Sequence, residues 1–214
     1  FSSFKQFHFD IASELFVDSN HLVFQKLDAA FAEIMFFIER NESADYNFCY
    51  DQLVSFGEIL STIIVSEYLL CENIANQLID ARKVLRSDET YREGNIDLNI
   101  SFKQCVETFS FNETPLYITQ GFIAGTTSGT TTTLGREGSD YTAAILANLL
   151  NASDVTIWKD VEGVLNADPK VFDNTVRLST VSFKEAIELA YCGAQIIHPK
   201  TIKTLQNKKI TLFV

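Results

Sequence analysis

The stretch TTTLGREGSDYT at 131–142 gathers residue types that bind anions. Arg136 can grip a carboxylate or a phosphate through parallel hydrogen bonds from its planar guanidinium. Gly135 and Gly138 flank it and allow a backbone to come close to a ligand. Ser139 has the chemistry of a helix N-cap for the apolar run Ala143-Ala144-Ile145-Leu146-Ala147-Asn148-Leu149-Leu150. The unpaired N–H groups and the dipole of such a first turn favour negative charge. Asp140 runs against that trend, because a carboxylate repels a neighbouring anion. It fits there if it handles a cation, a metal or a reacting group. Thr/Gly/Ser-rich loops before helices are common and most bind nothing, so the rest of the chain has to decide.

The elements around this loop divide near residue 112. Before it the chain is apolar-periodic and poor in glycine, with only Gly57 and Gly94. Phe24, Leu27, Phe31, Ile34 and Ile38 recur at spacings of three and four, which predicts an amphipathic helix. A polar stretch at 41–46 breaks it, and further helices are expected over 51–70, 74–80 and 101–108. After residue 112 short β-rich runs alternate with helices. Strands are expected at 116–119, 155–158, 195–197 and 210–214. Ser182-Phe183-Lys184-Glu185 reads as a capping box opening a helix through Ala190, with Gly193 just past its end. His198-Pro199 opens another helix, with proline in its first turn. Strand–helix alternation predicts an α/β fold with a mostly parallel sheet covered on both faces, and ligands at the carboxyl ends of its strands.

Composition narrows the function. The formal charge of −11 repels a phosphate backbone, which argues against nucleic acid as a partner. The basic residues near Lys200, Lys203, Lys208 and Lys209 read as a solvated helix face. Cys49, Cys71, Cys105 and Cys192 form no CxxC pair, and His8, His21 and His198 do not cluster with them. Neither a zinc site nor a disulfide framework is expected, and no metal ligands are assigned. No apolar run is read as approaching the ~20 residues of a membrane span, and no signal-peptide pattern opens the chain. A reduced, cytoplasmic protein without a membrane partner is expected.

The full string TTTLGREGSDYTAA closely resembles the TTLGRGGSDYTAA motif of aspartokinases, within the amino acid kinase family. Glu137 departs from it, standing where the family usually has a second glycine. Other blocks follow the same pattern in order. Ser55-Phe56-Gly57-Glu58 is similar to SFGE, and Thr119-Gln120-Gly121-Phe122-Ile123-Ala124-Gly125 to TQGFIG. The segment WKDVEGVLNADPK at 158–170 resembles WTDVxGIYTADPR, and GAQIIHP at 193–199 resembles GAKVLHP. The match runs from about Leu53 onward.

The resemblance implies an α/β/α sandwich of the amino acid kinase type. It also implies phosphoryl transfer from Mg-ATP to the β-carboxylate of L-aspartate, giving 4-phospho-L-aspartate. That reaction opens lysine, threonine and methionine biosynthesis. Ser55, Glu58, Phe122, Arg136 and Ser139 would then serve aspartate: Glu58 takes the ammonium group, Phe122 lines the pocket and Arg136 binds a carboxylate with help from Ser139. Asp140 would be the catalytic acid of the family pattern, organising lysines and metal-bound phosphate rather than acting as a base, since a substrate carboxylate is already a nucleophile. Lys159, Asp160, Leu165, Asp168, Lys170 and Gln195 would serve the nucleotide. Lys159, Leu165 and Lys170 replace the usual threonine, tyrosine and arginine, and Gln195 stands where a nucleotide-contacting lysine is common. His198 is expected as a helix cap. Residues 1–112 would be the mainly helical substrate side and 113–214 the α/β nucleotide side of one partial kinase domain, 1–214. The KFGG(T/S) segment, which supplies a phosphate-stabilising lysine, and the C-terminal regulatory domains have no counterpart in the sequence. A truncated domain with an open sheet edge, from a parent that is a homo-oligomer, is therefore expected. No lysine completes a P-loop around Gly121–Gly129. Two alternatives stay open: an amino acid kinase with another acceptor, such as glutamate or a nucleotide, and a degenerate copy that binds ligand without turnover.

Overall fold

A computed structural model describes residues 1–161, 163–168, 170–193 and 197–214. They form two units, Phe1–Gly135 and Arg136–Val214. The first contains α1 (Ser2–Leu15), α2 (Leu22–Arg40), α3 (Tyr46–Cys71), β1 (Gln77–Ile79), α4 (Ala81–Val84), β2 (Arg86–Ser87), α5 (Leu98–Thr108), β3 (Tyr117–Thr119), β4 (Ile123–Thr126) and β5 (Thr131–Thr133). The second contains α6 (Gly138–Leu150), β6 (Asp154–Thr156), α7 (Phe183–Tyr191), α8 (Pro199–Gln206) and β7 (Thr211–Phe213).

The core of the first unit follows the predicted periodicity. Leu27, Phe31 and Ile34 of α2 are buried against Leu60, Ile63 and Ile64 of α3, with Ala12 of α1 closing the cluster. Phe24 is partly buried, whereas Ile38 lies beyond this contact and is half exposed. Full burial of a side chain such as Leu27 or Leu60 stabilises the fold by about 1.5–3 kcal/mol. Asp45 caps α3 by accepting from the N–H groups of Asn47 and Phe48. By length and apolar content α3 matches a membrane-spanning helix, contrary to the sequence expectation. Its apolarity has a local use: Phe56, Ile59, Leu60, Ile63 and Ile64 are all buried within the unit, and Asp51 and Glu67 are buried with partners.

One helix expected from sequence is absent. The 74–80 segment contains β1, which pairs in parallel with β3 through Gln77↔Tyr117 and Ile79↔Thr119. Helix α3 cannot continue into it, because Asn73 takes the left-handed conformation (φ 62). The Ile74 and Asn73 N–H groups then return to the carbonyls of Leu69 and Leu70, a Schellman closure. Among the described strands, pairs β2–β4 and β6–β7 are also parallel, and β4–β5 is antiparallel. The α/β class with mostly parallel pairing therefore holds, with these strands distributed over three small sheets.

In the second unit, Ala144 and Ala147 of α6, Val155, Ile157, Ile202, Leu205 and Ile210 form the core. Helix α7 has the expected capping box: Ser182 accepts from the Glu185 N–H and the Glu185 side chain returns to the Ser182 N–H. Helix α8 begins with Pro199 at N1, and His198 Nδ1 accepts from the Lys200 N–H as its cap. Lys208, read from sequence as part of a solvated face, binds the Asn148 carbonyl and Asn151 Oδ1, both at 2.6 Å, at the negative end of α6. Of the strand expected at 195–197, Gln195 and Ile196 lie outside the described residues.

Candidate active site

In the first unit the residues of interest hang on α3 and on the exit from β3. Glu58 sits in mid-helix, partly buried, and burial pushes its carboxyl above the ordinary glutamate value. Next to it Gly57 faces open space: a Cβ added there would meet nothing within 4 Å. Ser55 is fully buried, and its hydroxyl donates to the Gln52 carbonyl of its own helix. One turn beyond Glu58, the Thr62 hydroxyl donates to the Glu58 carbonyl and accepts from Gln120 Nε2 at 2.7 Å. Gln120 is itself buried and accepts from the Ala81 N–H at the start of α4. The Gln120 side chain thus ties the Thr119–Phe122 turn to the Glu58 turn of α3. Phe122 follows with φ 70, an uncommon conformation for a bulky residue and one that clusters at functional sites. Its ring packs against the helical core, and its carbonyl accepts from the Leu134 N–H.

Sequence reasoning missed the neighbouring pair Asp51 and Gln52. Asp51 is fully buried and binds the Thr133 N–H, the Thr133 hydroxyl and the Arg92 N–H. Gln52 binds both the N–H and the carbonyl of Thr131. In sequence both look like ordinary first-turn helix residues; only an unmatched carboxylate at a core-facing position hinted otherwise.

The second unit begins with the motif itself. Arg136 and Ser139 are exposed. Helix α6 starts at Gly138, so Ser139 lies inside the first turn and is not the N-cap expected from sequence. The cap position belongs to Glu137, which is left-handed (φ 53) and makes no side-chain capping bond. The family glycine missing here would take that conformation without strain. Glu137 Oε2 is also buried without a hydrogen-bond partner. Asp140 lies three residues on, with Oδ2 2.7 Å from Lys159 Nζ and side-chain exposures of 16% and 20% for the two residues. The contact is an ion pair rather than a directed hydrogen bond, since the same Oδ2 has no donor in hydrogen-bond geometry. Lys200 stacks on the adjacent Tyr141 ring at 4.3 Å, and burial raises the Tyr141 hydroxyl above its ordinary value.

The expected nucleotide residues are spread along the segment after β6. Trp158 is 91% exposed and Asp160 is exposed beside Lys159. Leu165 is half-buried and bridges Arg177 across a short antiparallel contact. Asp168 Oδ1 accepts from the Lys170 N–H, and its carbonyl accepts from Val171 and Phe172, so its side chain shapes a turn. Lys170 is exposed, and Gln195 lies outside the described residues. A cavity of about 490 Å³ opens between α7 and β7, lined by Val164, Phe183, Ala186 and Leu212, but Lys159, Asp160, Leu165, Asp168 and Lys170 do not line it. Among the described residues no three His, Cys, Asp or Glu side chains are grouped to hold a metal.

Comparisons with known proteins bear on the family and the fold. The model of the amino acid kinase family matches residues 11–214. Lysine-sensitive aspartokinase 3 of Escherichia coli is 40% identical over 165 residues, covering 77% of this chain and 37% of that protein. The aspartokinase of Chlamydia trachomatis is 31% identical over 209 residues, covering 97% of this chain and 46% of that protein. Among solved structures, E. coli aspartokinase III in complex with aspartate and ADP superposes with a TM-score of 0.88 at 33% identity, over 99% of this chain and 48% of that one. The chain thus spans less than half the length of these relatives. With the motifs in order, the family model matched almost throughout and the backbone shared, the chain belongs to the amino acid kinase family.

Proposed function

We propose that the chain carries the catalytic part of an aspartate kinase, transferring the γ-phosphoryl group of Mg-ATP to the β-carboxylate of L-aspartate. The observation that carries this reading is the opening of α6: an exposed Arg136, a helix N-terminus, and the Asp140–Lys159 pair behind it. It is supported by the related structure solved with aspartate and ADP. Glu58 would hold the ammonium group of aspartate, and Arg136, with Ser139, a carboxylate; Phe122 would wall the pocket, and Ser55, expected from the resemblance to serve aspartate too, is buried with its hydroxyl on the Gln52 carbonyl. Lys159, Asp160, Leu165, Asp168, Lys170 and Gln195 would serve the nucleotide. A β-carboxylate oxygen attacks the γ-phosphorus, the bond to the β,γ-bridging oxygen breaks, and ADP leaves; no proton has to move. Catalysis then rests on alignment and charge neutralisation.

Magnesium fits the residues present. Mg²⁺ is normally held by one or two carboxylates together with substrate phosphates. Asp140 Oδ2 is engaged by Lys159 Nζ at 2.7 Å, so of the two acidic side chains at the start of α6 it is Glu137, whose Oε2 is buried without a hydrogen-bond partner, that would turn toward such an ion. Bound there with the nucleotide, the ion would neutralise charge on the phosphates. Asp140 would hold Lys159 toward the transferred group.

The second reading, ligand binding without turnover, is favoured by Gln195 at the position where a nucleotide-contacting lysine is common. Calorimetric titration with L-aspartate and with Mg-ATP, beside Arg136→Ala, tests binding. Trapping of the acyl phosphate by hydroxylamine tests turnover. Aspartate binding lost in Arg136→Ala, with hydroxamate formed by the parent, is the expected result. Binding without hydroxamate selects the second reading, and no aspartate binding by the folded protein removes the first.

A further inference from the structure

Strand β5 is the last element before Gly135 and Arg136, and its two edges are satisfied differently. One edge pairs with β4 through Ile123↔Thr133, Ala124↔Thr132 and Gly125↔Thr131. The other edge meets two consecutive side chains of α3. The Gln52 amide donates to the Thr131 carbonyl at 2.7 Å and accepts from the Thr131 N–H at 2.9 Å, imitating a paired strand. One residue earlier, Asp51 Oδ2 accepts from the Thr133 N–H at 2.9 Å, and Oδ1 from the Thr133 hydroxyl at 2.8 Å. The Thr133 carbonyl is taken by the Gly94 N–H. Side chains in a strand alternate, so a slip of one residue would lose all of these bonds together.

The same Asp51 oxygen also accepts from the Arg92 N–H at 2.7 Å. That second hold bears on the loop, because Gly135 rests against this turn. A Cβ added to Gly135 would lie 3.2 Å from Glu93 Cγ and 3.3 Å from the Arg92 carbonyl oxygen. Gly135 is left-handed as well, at φ +76. One fully buried carboxylate therefore fixes both the end of the strand and the turn that backs the glycine before Arg136. Burying a carboxylate is costly, and apolar packing could join a helix to a strand more cheaply. What the carboxylate adds is direction: it accepts from donors on two separate segments at once. Glu58 lies on the same helix, two turns on.

Resting on the kinase reading above, we propose that Asp51 is a positioning residue for amino acid substrate binding: it fixes the end of β5 and Gly135 against α3, and so the point from which the chain leaves for Arg136. It does not touch the substrate itself. Its loss is expected to weaken aspartate binding selectively, leaving the nucleotide residues of 158–170 undisturbed.

The test compares the intact protein with Asp51→Asn and Thr133→Val, using calorimetric Kd values for L-aspartate and for Mg-ADP together with Tm. Asn keeps one acceptor but turns an N–H toward a backbone donor, whereas Val deletes only the hydroxyl bond. The expected result is a rise in the aspartate Kd of about tenfold for Asp51→Asn and a smaller rise for Thr133→Val, with the Mg-ADP Kd within twofold of the parent. Equal weakening of both ligands, or an unchanged aspartate Kd in a variant whose Tm has fallen, would assign Asp51 a purely structural role and overturn the inference. If Asp51→Asn does not fold, Thr133→Val decides on the same criterion. A parent protein that binds no aspartate defeats the kinase reading and this inference together; a parent that binds, with variants that show no selectivity, defeats only the inference.

Discussion

Glu137 occupies a backbone conformation that suits the glycine it replaces, so Glu137→Gly should stabilise the protein. A non-glycine residue in the left-handed region costs about 1–2 kcal/mol, while glycine loses roughly 0.5–1 kcal/mol more conformational entropy on folding. The backbone gain is thus about 0.5–1 kcal/mol at φ 53. Removing a carboxylate oxygen that is buried without a partner returns about 1 kcal/mol. The field of the helix N-terminus on that carboxylate, about 0.3–1 kcal/mol, works the other way. The net expectation is about 1 kcal/mol, or a Tm rise of about 2–4 °C for a chain of this size. Thermal unfolding followed by circular dichroism measures it, with Glu137→Ala as the control that removes the carboxylate but keeps the strained φ. The expected order of Tm is glycine highest, alanine between, parent lowest. A glycine variant melting at or below the alanine variant would show that the left-handed backbone carries no strain, and the argument would fail.

Other substitutions probe the remaining features. Burial raises the native Glu58 carboxyl above 4.5, so its contribution to stability is present below that value and lost as pH rises through the raised native pKa. Glu58→Gln should therefore match the parent in acid and exceed its denaturant midpoint at neutral pH, while losing aspartate affinity; a less stable variant at neutral pH would refute burial as the cause. Lys159→Thr should raise the Mg-ATP Kd several-fold and flatten its dependence on salt, since it removes the cation paired with Asp140; an unchanged Kd in calorimetry would remove Lys159 from the nucleotide residues. Gly125→Ala would place Cβ 2.3 Å from the Arg82 carbonyl oxygen, a backbone atom. It should cost about 1–3 kcal/mol in urea unfolding, and a neutral result would mean that β4 and α4 separate freely.

Much of the fold could be read from local pattern. The periodicity of α2, the Ser182–Glu185 box and the His198-Pro199 opening each act within a few residues, and each is found where expected. Strand β1 could not be read that way, because its partner β3 lies 40 residues downstream and its own residues suit a helix equally well. The start of α6 was misjudged for a related reason. Ser139 has the better capping chemistry, but the left-handed Glu137 places the helix start one residue before it. Residues of the site were legible as types: an arginine between glycines, a carboxylate on a helix, lysines after a strand. Their pairing was not, since Asp51 meets Thr133 across 82 positions of sequence, and the Asp140–Lys159 contact joins α6 to the segment after β6.

The exposure of Trp158 has a practical consequence. It is the sole tryptophan of the chain, and it stands 91% exposed immediately before Lys159. Its indole is thus a built-in optical reporter, nearly fully hydrated before any ligand arrives and sited in the Arg136–Val214 unit. Excited selectively beside seven tyrosines, it would answer to events at the segment expected to hold the nucleotide, with a blue shift if a ligand shields it and quenching if a purine stacks on it. A response to nucleotide alone, and silence toward aspartate alone, would separate the two half-reactions of binding without any label or substitution.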